Sequence, residues 1–281
     1  MKGNKKIKVA IFSNDDPTSN ILFHKLYGRD DIQITGVYFA TGVRPKERNM
    51  YLSSLRLLKR MSKRYWFFLA ATNFSYKLYE GLLLRLPFIA KHFYPIPSQK
   101  QLCVQHKIPY KFVVDFNSAP LVDELKSQQV DLVLARIPTI LKKDILDLPQ
   151  HGVWVPHSSL LPSFRGIAGE FHAMRTNQPI GTTVFRANEI LDKGTILYQQ
   201  ELVTNFRSCF ARIIANNYLG SQLVDRAIQA VIHDGNTGGS LSTYPDSYVS
   251  WPSGCEMNTF YQRNHILFSF REFFHAISAP R

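Results

Sequence analysis

Cysteine is scarce in this chain: Cys103, Cys209 and Cys255 are the only three in 281 residues. Their spacing is not that of a metal site, and they build no obvious disulfide framework. No metal is therefore expected, and the cysteine usage points to a reducing, cytoplasmic compartment. Long apolar runs are also missing. Lys77, Glu80 and Arg85 interrupt the most apolar stretch, so no run reaches the roughly 18 residues that a membrane span needs. The basic start, with Lys2, Lys5, Lys6 and Lys8, leads into a strand rather than into an apolar run and cleavage site. No signal peptide is expected. There are no internal repeats and no low-complexity segment. Acidic side chains are few, 21 against 34 Lys and Arg, which leaves a net charge of +13. Such a surface attracts nucleic acid, anionic lipid or phosphorylated small molecules, or it serves no dedicated polyanion. Charge alone does not choose among these.

What is present points to a large core. The chain is 45% hydrophobic, which excludes disorder. Its length suits one large domain, or one with a small appendage. Lys8-Val9-Ala10-Ile11-Phe12 opens as a strand, and Ser13-Asn14-Asp15-Asp16-Pro17 stops it. Thr18 or Ser19 is placed to cap a helix running to Tyr27. Asn14-Asp15-Asp16 reads either as a capped turn or as a contact to an acceptor's phosphate or sugar, although acidic residues suit phosphate poorly.

Further strands are expected at 32–40, 109–114 and 130–135, with a helix at 119–128. The strands are near-continuous apolar runs, as central parallel strands are. The alternation predicts an α/β fold, mainly parallel and Rossmann-like. Another strand follows Gly152, then a Leu160-Leu161-Pro162 turn and a helix over 167–176. Strands at about 182–190 and 195–203 enclose a loop around Asp192. A long helix runs from about 206 to 233, with Ile213, Ile214, Leu219, Leu223, Ala227 and Val231 as its apolar face. The aromatic segment 266–277 is expected to be an amphipathic helix docked on the body.

Residues 51–95 interrupt the alternation with a helical, basic and aromatic insertion. Arg56, Lys59, Arg60, Lys63 and Arg64 precede Tyr65-Trp66-Phe67-Phe68-Leu69. Three readings stand: an interfacial helix pair on an anionic membrane, a wall of an acceptor site, or a hairpin packed on the body. The expected organisation is an α/β domain over 1–205 carrying this insertion. A long helix and C-terminal extension over 206–281 pack on the same core.

The most informative residues are Gly152-Val153-Trp154-Val155-Pro156-His157-Ser158-Ser159-Leu160-Leu161-Pro162-Ser163-Phe164-Arg165-Gly166, followed by the stretch from Gly181 to Asp192-Lys193-Gly194. A histidine at a strand end lies where open α/β sheets bind ligands. An aspartate in a nearby loop can orient its imidazole for proton transfer. Taken alone, such a histidine is as a rule structural, and Asp-Lys-Gly is a plain turn.

Together these segments resemble the folate-dependent formyltransferase family, whose members act on glycinamide ribonucleotide, methionyl-tRNA or sugar amines. The family pattern Asn-x-His-x-Ser-Leu-Leu-Pro, then a loop ending Asp-x-Gly, is met by His157, Ser159, Leu160, Leu161, Pro162, Asp192 and Gly194. Val130 to Ala135 and Ile140 to Leu146 look like the strand and turn that line the family's folate pocket, and Ser250-Trp251-Pro252 is familiar near the end. The resemblance covers about 8–40 and 109–203. It implies a twisted sheet of the formyltransferase type, and an amine that attacks the formyl carbon of 10-formyltetrahydrofolate. His157 would take a proton or stabilise the tetrahedral intermediate. Asp192 would hold the histidine and a water. Main-chain groups at Thr139, Ile140 and Leu141 would bind the pterin edge, with Asn188 and Glu189 in the loop that closes over it.

One position departs from the pattern. The family's Asn is Val155 here, and a valine cannot donate to an oxyanion. Losing one such donor costs ~10²–10³ in turnover. Either Ser158 supplies a hydroxyl instead, or the reaction is slow or retuned, or the chain binds without catalysis. The expected acceptor is a small-molecule amine or amino sugar. Nucleic acid is not the expected partner, because the tRNA enzymes carry a C-terminal β-domain that the residues after Asn205, short and aromatic-helical, are not expected to form. The alternative is a catalytically degenerate binding protein, with peripheral contact to an anionic membrane as a further possibility.

Overall fold

Ile7–Ser13 forms the first strand, β1, and six of its seven side chains are buried. A strand buried this evenly must be covered on both faces. The computed structural model describes residues 6–41, 58–85, 96–235, 239 and 242–278. After β1 come α1 (Pro17–Phe23), β2 (Ile32–Ala40), α2 (Lys63–Arg85), α3 (Gln99–His106), β3 (Tyr110–Val113), α4 (Ala119–Gln128), β4 (Leu132–Arg136) and α5 (Lys143–Leu146). Then follow β5 (Val153–His157), β6 (Arg165–Gly166), α6 (Gly169–Thr176), β7 (Gly181–Ala187), β8 (Gly194–Glu201), α7 (Cys209–Asp234), β9 (Tyr248–Val249), α8 (Gly254–Gln262) and α9 (Phe270–Ser278).

Seven strands form one sheet in the order β3-β2-β1-β4-β5-β7-β8. The first five are parallel to their neighbours, and β7 and β8 are antiparallel. This is the mainly parallel α/β sheet that the alternation predicts. One apolar cluster joins Val9 and Ile11 to Leu22 and Phe23 of α1, Leu102 of α3, and Leu219 and Leu223 of α7. On the opposite face Ala10, Phe12 and Val133 meet Leu121 and Leu125 of α4 and Ile145 of α5. A third cluster, of Tyr65, Phe68, Phe171, Met257 and Phe260, joins α2, α6 and α8.

Three local expectations change. The cap of α1 is Asp16, not Thr18 or Ser19: its carboxylate accepts the Ser19 N–H at 2.8 Å and the Thr18 hydroxyl at 2.6 Å. A carboxylate also suits the positive end of the helix, and Pro17 at the first position has no N–H to lose. The α-helix ends at Phe23, and His24–Leu26 tightens into a 3₁₀ turn. Near the C-terminus, residues 266–269 are not helical. Ile266 pairs with Ser208, and the Cys209 N–H donates to the Ile266 carbonyl at 2.8 Å. Those backbone groups are committed to the start of α7, so α9 begins only at Phe270. The unanticipated α8 starts at a capping box of Ser253 and Glu256. Of the insertion at 51–95, residues 51–57 and 86–95 lie outside the described residues, and with them any second helix of the pair.

Candidate active site

Along β5 alternate side chains take alternate faces. Val153 and Val155 pack on the cluster beneath α4 and α5, and Trp154 packs on the other. His157, two residues on, therefore stands on the Val155 side. Asp192 arrives from the loop between β7 and β8. Because β7 is antiparallel to β5, with Arg186 paired to Trp154, that loop leaves beside the start of β5 and must fold back along it. It brings Asp192 Oδ1 to 3.7 Å from His157 Nδ1, and both side chains are 13% exposed. This is an ion-pair separation, slightly longer than a hydrogen bond. His157 Nε2 lies 3.5 Å from the Phe164 carbonyl.

The other carboxylate oxygen of Asp192 accepts the Gly166 N–H at 2.7 Å. Asp192 itself is left-handed, at φ 48°, a conformation that Asp tolerates better than most residues. Gly166 has φ +106°, and a Cβ there would stand 2.1 Å from the Val249 carbonyl oxygen. Arg165-Gly166 and the Asp-x-Gly loop are thus one device: a glycine lets β6 press against β9 and aim its N–H at the aspartate.

Residues 244–249 carry no site motif in the sequence. They brace the loop beneath His157. Ser247 accepts the Phe164 N–H at 2.8 Å, and the Pro245 carbonyl accepts the Ser163 hydroxyl at 2.7 Å. Arg165 Nε donates to Asp246 at 2.8 Å, which holds that carboxyl below the usual carboxylate range. Arg165 also reaches the Leu191 carbonyl at 3.4 Å. Only a polar cluster, Ser242-Thr243-Tyr244-Pro245-Asp246-Ser247, could have drawn attention to them.

The turn after His157 is held from beneath. Thr183 donates to the Ser159 carbonyl at 2.7 Å and accepts the Leu161 N–H at 3.0 Å. Ser159 is buried and donates to the Ser163 carbonyl at 2.8 Å. Ser158, next to His157, is half-buried at the turn.

The loop after β4 approaches from the neighbouring strand. Asn117 clamps it: its amide donates to the Ile140 carbonyl at 3.0 Å, and its carbonyl accepts the Lys142 N–H at 2.7 Å. Leu141 is buried in the core, so only its main chain can meet a ligand, whereas Thr139 is half-buried and Ile140 is exposed. Ile137, Leu141, Val155 and Ala187 all pack on the apolar cluster that lines one face of the sheet. Asn188 and Glu189 are exposed. Asn188 serves its own turn by accepting the Ile190 N–H at 2.9 Å. An open depression of about 710 Å³ between α4 and α5 shares Asn117 but holds none of the expected site residues.

The sheet order reverses between β1 and β4, the place where open α/β sheets take ligands. There Arg136 donates to the Thr18 hydroxyl at 3.0 Å and to the Asn217 side-chain carbonyl. Asp15 pairs with Lys77 at 2.6 Å and Lys100 at 3.0 Å. In the Asn14-Asp15-Asp16 stretch, Asp16 is therefore the cap, and Asp15 ties α2 and α3 to the end of β1.

The architecture and this geometry define a class: an open α/β protein with a histidine at the end of a parallel strand facing an aspartate from a neighbouring loop. Residues 101–205, which include both motif segments, match the family described as formyl transferase. Over that stretch the chain is similar to the formyltransferase family. The methionyl-tRNA formyltransferase of Fusobacterium nucleatum is 31% identical over 120 residues, covering 42% of this chain and 39% of that protein. That of Prochlorococcus marinus is 35% identical over 88 residues, covering 31% and 27%. The chain thus spans well under half the length of these relatives. A sugar N-formyltransferase from Shewanella superposes with a TM-score of 0.54 at 13% identity, covering 94% of this chain and 90% of that one. A phosphoribosylglycinamide formyltransferase from Anaplasma phagocytophilum gives 0.54 at 17% identity, covering 89% and 100%. At such identities the structures speak for the fold alone.

Proposed function

We propose that this chain moves a formyl group from 10-formyltetrahydrofolate to the amino group of a small molecule or amino sugar. The observation that carries the reading is the pair His157 and Asp192, brought together from the end of β5 and the β7–β8 loop and locked by the Gly166 N–H. The residues present fit a pterin-type donor. Main-chain groups at 139–141 are held in place by Asn117, and Ile140, Ile190 and Leu191 leave apolar surface exposed on the flanking loops. A flat ring with a polar edge needs both. The donor supplies an activated formyl carbon. His157 takes the proton that the attacking amine must lose, and Asp192 orients the imidazole and stabilises its charged form; the proton then passes to the folate nitrogen that leaves as its bond to the formyl carbon breaks. The free cysteines agree with a cytoplasmic setting. Among the described residues no helix is long and apolar enough to cross a membrane.

A second reading, binding without turnover, is favoured by one residue. Val155 shares the His157 face of β5 and offers no donor where the family places an amide.

Calorimetric titration with a stable 10-formyltetrahydrofolate analogue tests the first reading without knowledge of the acceptor. Micromolar binding that weakens in Asp192→Ala is the expected result. No binding at millimolar analogue would remove the donor from the account. Val155→Asn then separates the two readings. Turnover that rises by ~10²–10³ would mean that the oxyanion donor is the missing part. Turnover equally absent in both proteins would leave a binding protein.

A further inference from the structure

Helix α2 is apolar on two faces, and the body covers one of them. Tyr65, Phe68 and Tyr76 are buried, with Tyr65 edge-on to Phe171 at 5.4 Å and Phe68 to Phe210 at 5.9 Å. The other face carries Phe67, Ala71, Phe74 and Leu78, spaced four, three and four residues apart, which is one stripe of a helix. Phe67 is 70% exposed, Phe74 71% and Leu78 64%. Lone exposed apolar side chains are ordinary, but a stripe of large ones is a contact surface.

What covers the stripe is indicated by its charge. Residues 58–85 carry six basic side chains, Lys59, Arg60, Lys63, Arg64, Lys77 and Arg85, against one acid, Glu80. Lys59, Arg60, Lys63 and Arg64 are exposed and cluster at the N-terminal end of the stripe. A second copy of the chain is a poor occupant. A twofold contact would bring two basic helices together, between molecules of net charge +13. Nucleic acid would satisfy the cations but leave Phe67, Phe74 and Leu78 in water. A surface with anionic headgroups over acyl chains satisfies both.

Helix α9 extends the same surface chemistry. It stacks on Phe210 through Phe273 at 5.9 Å and leaves Phe270 73% exposed. Phe210 thus joins the buried sides of two helices that each present phenylalanine outward.

We propose that α2 is a membrane-docking helix, which lays Phe67, Phe74 and Leu78 into the interface of an anionic bilayer while its basic end meets the headgroups. This stands apart from the formyl-transfer reading, and either can fail without the other. Each basic side chain held at such a surface strengthens binding about fivefold. Burial of three large apolar side chains contributes at least as much again.

Co-sedimentation of the full chain with phosphatidylcholine vesicles, with and without a quarter phosphatidylglycerol, tests it. The expected result is binding to the anionic vesicles only. Phe67→Ser with Phe74→Ser and Leu78→Ser should weaken it roughly tenfold or more, and so should Lys59→Glu with Arg60→Glu and Lys63→Glu. All six side chains are exposed, so both variants should keep the wild-type thermal melt, checked by circular dichroism. Three results overturn the proposal. The first is no sedimentation with anionic vesicles. The second is vesicle binding that the apolar variant leaves unchanged, which reduces the contact to diffuse charge. The third is a dimer in gel filtration that the apolar variant dissolves, which gives the stripe to a second copy.

Discussion

Asp192 has two duties that one substitution can separate. Its Oδ2 accepts the Gly166 N–H at 2.7 Å in a partly buried setting, a bond to a charged acceptor worth about 1.5–3 kcal/mol. Its left-handed backbone, at φ 48°, adds a cost of about 1–2 kcal/mol for a residue such as alanine. Asp192→Ala should therefore loosen the loop by roughly 2.5–5 kcal/mol. Asp192→Asn keeps an acceptor oxygen and a residue at home in that conformation, so it should lose only about 1 kcal/mol. Hydrogen exchange at the Gly166 amide reads this locally. It should speed up by about a hundredfold or more in Asp192→Ala and by about tenfold or less in Asp192→Asn. Turnover should not follow the same order. Asparagine cannot stabilise a charged imidazole, so both variants should lose about 10²–10⁴ in rate. Equal exchange in the two variants would refute the structural half of this reasoning. An active Asp192→Asn would refute the catalytic half.

Three further outcomes are expected. Gly166→Ala should cost about 2–5 kcal/mol in denaturant unfolding, because its Cβ meets the Val249 carbonyl at 2.1 Å from a positive-φ backbone; an unchanged midpoint would dissolve the brace between β6 and β9. His151, His172 and His265 are all held below the usual imidazole value of 6.5, chiefly by burial. A depressed folded value means that the unfolded chain takes up protons first. Stability is therefore complete above about pH 6.5 and falls as pH drops below it, before the carboxylates titrate. Thermal melts from pH 8 to 5 should show this decline, and His172→Gln should flatten part of it. Finally, Cys103 and Cys209 are buried and Cys255 is exposed. Burial pushes the Cys103 thiol up to about 11 and the Cys209 thiol higher still. A thiol reagent at pH 8 should count one reactive cysteine in the native chain and three after unfolding.

Much of the molecule can be read from local pattern. Runs such as Leu132 to Ala135 are apolar at every position, and a strand buried on both faces needs that. Ala119 to Gln128 shows helical spacing of Leu121, Val122 and Leu125, and its bounds are those of α4. The capping box at Ser253 and Glu256 is equally local, but its segment lacks the strong periodicity that marks a helix in sequence. The phenylalanines at 268–274 suggest helix throughout, but residues 266–269 give their backbone to α7, a partner some 60 positions away in sequence. Local propensity yields there to a tertiary hydrogen bond.

The candidate site divides in the same way. The strand ending at His157, the turn after it and the Asp-x-Gly loop are written in short-range residue order, because each depends on neighbours a few positions apart. That order cannot show that Asp192 folds back along β5 to His157, since the approach depends on β7 running antiparallel. Nor can it show that Gly166 is pinned by Val249, that Asp246 and Ser247 brace the loop, or that α2 keeps one aromatic face buried and leaves the other bare. These are contacts between segments 26 to more than 80 residues apart. Sequence determines which side chains are available and which way a local segment twists. Only the packed sheet, with its strand order and the direction of β7, decides which of them meet.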